Sequence, residues 1–127
     1  MQSVSSNAVA SLLNTDKNDT TGVYITSQVT KYLGVSDVIV CRKNNMVYMY
    51  VSGTYTGSPT TSTQQFITNI PSKYRPTIGQ SVVLLGYNAT QRTTVGRGFL
   101  YGDGRLELGE TSWISGTLIR AGFVYMI

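Results

Sequence analysis

The side chains able to carry chemistry are few in this 127-residue chain, and their types narrow the options. It has no histidine, which removes the commonest general base and the usual catalytic metal ligand. Cys41 stands alone, so it can form neither an intrachain disulfide nor a cysteine zinc site. The acids are Asp16, Asp19, Asp37, Asp103, Glu107 and Glu110. Hydrolysis of a glycosidic bond needs two carboxylates across one cleft. Glu107 and Glu110 are near in sequence but fall at a strand end and in a turn, so a solvated rim is the simpler reading. Gly96-Arg97-Gly98 and Gly102-Asp103-Gly104 are glycine-rich, yet neither opens a helix after a strand as a phosphate cradle would. The expectation is a non-enzymatic chain with no metal and no cofactor.

What remains is recognition chemistry. Tyrosine is enriched, with nine copies. Its ring can stack on the C–H face of a sugar while its hydroxyl stays available for a hydrogen bond. The candidate ligand-binding residues are Tyr48, Tyr50, Tyr101 and Trp113, with Arg97 and Asp103 as polar partners. Trp113 lies in GETSWISG, between turn residues, which predicts an exposed loop position. An aromatic on a strand more often packs in a core or against another subunit. The Tyr48/Tyr50 face can therefore equally be one that a neighbouring copy covers.

The elements that must position these residues read as strands. Asp37 to Arg42 and Met46 to Thr56 flank Lys43-Asn44-Asn45 as a hairpin. In the second strand Val47, Met49 and Val51 share a core face, and Met46, Tyr48, Tyr50 and Ser52 share the other. Further strands are expected at Ser81 to Tyr87, Thr93 to Tyr101, Arg105 to Leu108 and Leu118 to Met126, with Gly102-Asp103-Gly104 as a tight turn. Gly57 to Thr63 reads as a loop. The prolines at 71 and 76 forbid a helix and predict an extended excursion. Strands at short regular intervals imply an all-β sandwich or barrel.

One helix is expected, in SVSSNAVASLLN near the start, capped by Ser5 or Ser6. Ala8, Val9, Leu12 and Leu13 form its apolar face, which must rest either on its own sandwich or on the same helix of neighbouring chains. In the second case Val9, Leu12 and Leu13 are the trimer contacts. The organisation is thus residues 1–20 as helix and connection, and residues 21–127 as a β-sandwich head. A cyclic trimer would bring three helices to the axis and pack the sandwich flanks together.

Charged residues make up 13% of the chain, about half the usual share. Such surfaces suit coverage by another chain. The net charge is +4, but the ten basic residues are scattered, against the clustered footprint of a nucleic-acid partner. No stretch approaches the roughly 18 apolar residues that would span a membrane, and the first 13 residues lack the pattern of a signal peptide.

Three segments carry a resemblance. SVSSNAVASLLN resembles the short S-x-x-S-x-A-V-x-x-x-L segment that leads into trimeric C-terminal domains of phage tail-fibre and baseplate proteins. NIPSKYRP, residues 69–76, is similar to the L-P-x-x-Y-R-P element of phage receptor-binding heads. The ending, GFLYGDGRLELGETSWISGTLIRAGFVYMI, resembles their usual close. Their order implies the C-terminal head or tip domain of a bacteriophage tail fibre or baseplate receptor-binding protein, with a β-sandwich or jelly-roll-like fold and a homotrimeric assembly. It implies partners in host cell-surface polysaccharide or surface protein. The place would be the virion tail or fibre tip, after assembly in the cytoplasm of the infected bacterium. The alternative is a trimerisation knob or head-fibre cap that holds a fibre in register and touches no receptor.

Overall fold

The computed structural model describes residues 18–127, with side chains from residue 21 onward. The expected helix and its contacts Val9, Leu12 and Leu13 lie outside the described residues.

Alternation of apolar and polar residues produces eight strands: β1 (Asn18–Tyr24), β2 (Leu33–Lys43), β3 (Met46–Tyr55), β4 (Gln64–Ile67), β5 (Gln80–Asn88), β6 (Arg92–Leu100), β7 (Leu106–Leu108) and β8 (Leu118–Met126). They form one curled antiparallel sheet in the order β1-β2-β3-β8-β5-β6-β7-β4. The expected all-β class holds. The β2–β3 hairpin turns at Asn44-Asn45, pairing Lys43 with Met46. Asn44 takes the left-handed conformation (φ 54°) that its short polar side chain tolerates.

The sheet is two four-stranded halves hinged on a narrow seam. β3 and β8 pair over nine positions, and β5 and β6 over nine. β5 and β8 meet only at Gly86–Ile119 and Tyr87–Leu118. The curl nearly brings the two edges together, and residues 25–30 cover the gap. Ile25 N–H donates to the Val38 carbonyl (2.9 Å) on the β2 side. Thr30 N–H donates to the Phe66 carbonyl (2.9 Å) on the β4 side. The β4 edge, otherwise a row of unpaired backbone groups, is thereby satisfied.

Val38, Val40, Val47, Met49, Val51 and Ile119 from one half, and Leu84, Leu100, Leu106 and Leu108 from the other, are fully buried. The expected core face of β3 is confirmed. Between Pro71 and Pro76 the structure corrects the expectation of an extended run: Ser72–Tyr74 form one 3-10 turn. Pro71 sits before the turn and Pro76 after its cap, where neither needs an amide nor clashes with a preceding carbonyl.

Trp113 is the larger correction. Its side chain is 1% exposed, against the expectation of a loop residue open to ligand. Its ring lies over Gly86 and Gly96, where an added Cβ would stand 2.8 and 2.6 Å from the indole. Only glycine leaves that space. The indole N–H donates to Thr94 Oγ1 (2.6 Å), and the Tyr55 ring meets it edge-on at 5.9 Å. Short polar neighbours in sequence gave no sign of a recess built by residues on β5 and β6.

Two outcomes are expected. Trp113→Ala should cost about 3–5 kcal/mol of stability, read as a lowered denaturant midpoint. The second concerns alkaline pH. Burial lifts the phenol pKa of Tyr125, and of Tyr55, above the ordinary 10.0; the Tyr125 hydroxyl donates to the Tyr74 carbonyl (2.7 Å). A phenol that titrates higher folded than unfolded contributes stability below pH 10, lost as pH rises further. Stability should therefore fall above about pH 10, and Tyr125→Phe should flatten that limb in denaturation curves taken from pH 8 to 11.

Candidate functional site

Burying Trp113 fixes the segment before it, and that segment builds a groove. Trp113 N–H donates to Thr111 Oγ1 (3.0 Å). Thr111 and Thr60 exchange reciprocal backbone hydrogen bonds, each 3.0 Å, tying the loop after β7 to the loop after β3. Gly109 N–H donates to the Arg97 carbonyl (2.7 Å), and Gln91 Nε2 donates to the Ser112 carbonyl (2.8 Å). Both loops are thus pinned to β6 or to each other.

Between them lies an open groove of about 770 Å³, lined by Pro59, Thr60, Thr61, Val95, Arg97, Glu110, Thr111 and Ser112. That size suits a small-molecule or oligomer subsite. Its lining combines three kinds of group. Thr60, Thr61 and Ser112 present hydroxyls, Val95 and Pro59 present apolar surface, and Arg97 and Glu110 present opposite charges. The side chains of Arg97 and Glu110 are exposed and form no ion pair or hydrogen bond among the described residues. Arg97 offers up to five donors and Glu110 two acceptor oxygens. One carboxylate lines the groove, where hydrolysis of a glycosidic bond calls for two. The arrangement can bind a hydroxyl-rich ligand through many hydrogen bonds over a small apolar floor.

The other sequence-derived candidates lie elsewhere. Tyr101 and Asp103 do come together, around Arg105. The Arg105 guanidinium stands 4.1 Å over the Tyr101 ring, and its Nε meets both Asp103 oxygens at 3.0 and 2.9 Å. Arg105 Nη1 lies 3.7 Å from Glu107 Oε2. The neighbouring Glu107 carboxylate, with some desolvation, raises the Tyr101 phenol pKa above 10.0. These groups satisfy one another and brace the β6–β7 hairpin. Tyr48 and Tyr50 lie on the outer face of β3, away from both clusters, with Tyr48 42% exposed. Trp113 is sealed beneath the groove and supports it without lining it.

Of the six candidate residues, the groove therefore holds Arg97 alone. Thr60, Thr61, Glu110 and Ser112 were missed as ligand groups. Gly57 to Thr63 was legible as a loop, but nothing in its composition announces the partner loop 51 residues later that Thr60 pairs with. Among the described residues no group of three His, Cys, Asp or Glu is placed to hold a metal ion, and no helix is long and apolar enough to cross a membrane. No protein-family model matches the chain, and no curated protein matches it in sequence.

Proposed function

We propose that this chain is the head or tip domain of a bacteriophage tail fibre or baseplate receptor-binding protein, a non-enzymatic virion component that binds a saccharide on the host cell surface in the Arg97–Glu110 groove. The observation that carries this reading is the groove itself: hydroxyls, apolar surface and two unpaired charges held by β6 and two pinned loops. Preorganised polar groups of this kind lower the ordering cost of binding a flexible, hydroxylated chain. Within the same reading the two halves of the curled sheet pack face to face as a jelly-roll-like sandwich, and the chain assembles as a homotrimer. Exposed Val83, Leu85 and Tyr87 of β5, next to Leu118, offer an apolar strip for contact between copies.

A second reading, the trimerisation knob that touches no receptor, is favoured by one observation: much of the exposed apolar surface lies on outer strand faces rather than in the groove.

The two separate in one assay. The fluorescently labelled protein is titrated onto a panel of bacterial cells and their extracted wall polysaccharides. Saturable binding to one strain, competed by its polysaccharide, is the expected result. Arg97→Ala and Glu110→Gln should each weaken it roughly tenfold or more, the value of a lost charge-assisted hydrogen bond. Assembly without binding to any surface would transfer the assignment to the knob.

A further inference from the structure

The outer face of β1-β2-β3-β8 has an order that the groove does not use. Registered pairing lays it out as rows. At one end Lys43, Met46 and Met126 are aligned. Next come Cys41, Tyr48 and Val124, and after them Tyr24, Ile39, Tyr50 and Gly122. The far row is Asp37, Ser52 and Arg120. The two central rows carry no charge, and the charges stand only at the ends. Tyr24, Met46, Tyr48, Val124 and Met126 are all exposed. Tyrosine and methionine at the centre with charges at the rim is the composition of a protein interface rather than of a solvated sheet. Beside Tyr48 a hollow of about 200 Å³ opens between Cys41, Arg42, Lys43 and Met46.

We infer that this face pairs with the same face of a second copy of the chain, through a two-fold axis lying in the plane of the face. The end charges select that occupant. With the axis across the strands, the two ends of β2 exchange places and Lys43 meets the second copy's Asp37. With the axis along β3, β2 and β8 exchange places and Asp37 meets the second copy's Arg120. Either two-fold gives Asp37 an opposite charge, twice, by symmetry. Asp37, Lys43 and Arg120 make no ion pair among the described residues of their own chain. Four strands about 4.8 Å apart and six residues of about 3.3 Å give a footprint of roughly 400 Å² per copy. Two copies would bury roughly 800 Å² in total, below the range of stable specific interfaces and in the weak, transient class, so the pair should form reversibly at micromolar or higher concentration.

The pairing goes beyond the three-fold reading, because a cyclic trimer contains no two-fold axis. It either joins two trimers or stands as the assembly itself. Sedimentation equilibrium of the full chain between about 5 and 200 µM decides between these and the failure of the idea. A mass of two copies supports the pair and removes the trimer; six copies supports both. A mass of one or three throughout overturns the pair, and three leaves the trimer intact. Val124→Glu and Tyr48→Asp, both at exposed positions, should raise the pair's dissociation constant roughly tenfold or more. An unchanged constant in both folded variants overturns the assignment of the face. Asp37→Lys should weaken the pair, and either Lys43→Asp or Arg120→Asp added to it should restore the mass. The restoring partner assigns the axis, and restoration by neither overturns the charge pairing.

Discussion

The packing of Trp113 against two glycines is the constraint on which the rest of the structure depends. Gly86 and Gly96 sit opposite each other's neighbours on β5 and β6 and leave a recess that no side chain of their own could share. The indole fills it, and its edge contact with Tyr55 reaches across to β3. Tyr55 in turn stacks near Phe66 of β4 at 6.0 Å. Its hydroxyl lies 2.5 Å from Gln64 Oε1 and 2.9 Å from the Ser58 carbonyl. One aromatic cluster therefore fastens β3, β4, β5, β6 and the loop after β7. Because β5 and β8 share only two paired positions, the ladder alone would hold the halves loosely. The angle between them is set by side chains in the core.

Function in the proposed account follows from that anchoring. The residues just before Trp113, Glu110 to Ser112, cannot shift without moving the indole, and Thr111 passes the constraint on to Thr60 by two backbone bonds. Thr61, Glu110 and Ser112 are exposed on a fixed backbone, which is how a rigid scaffold presents polar ligand groups. The low charge of the chain then has two uses. It leaves Arg97 and Glu110 without local competitors in the groove. It also leaves the Tyr48 face bare enough for another protein surface to cover.

Much of the fold was legible in the sequence because strands advertise themselves locally. Val47, Met49 and Val51 alternate with Met46, Tyr48 and Tyr50, and period two puts the sets on opposite faces whatever the rest of the chain does. The hairpin at Asn44-Asn45 and the tight turn at 102–104 were readable for the same reason. Trp113 was not, since its burial depends on two glycines 27 and 17 residues away and on a loop closing over them. The turn at Ser72–Tyr74 was missed because proline rules forbid long helices, whereas a single turn fits between two prolines. Arg97 was found by type, but the groove around it joins loops whose pairing is a property of the fold alone. Tyr101 and Asp103 were rightly seen as chemically capable, yet Arg105 already engages both, over the Tyr101 ring and at both Asp103 oxygens.

The central claim is that the Arg97–Glu110 groove is where a saccharide binds. Its most direct test is a backbone amide chemical-shift titration of the isotopically labelled protein with wall oligosaccharide from a strain that the protein binds. The account predicts shifts concentrated at Thr60, Thr61, Arg97, Glu110 and Ser112, with the Trp113 indole signal moving slightly as the loop above it is loaded. Shifts centred on Tyr48, Tyr50 and Val124 with the groove silent would contradict it, and would move the ligand site to the outer sheet face.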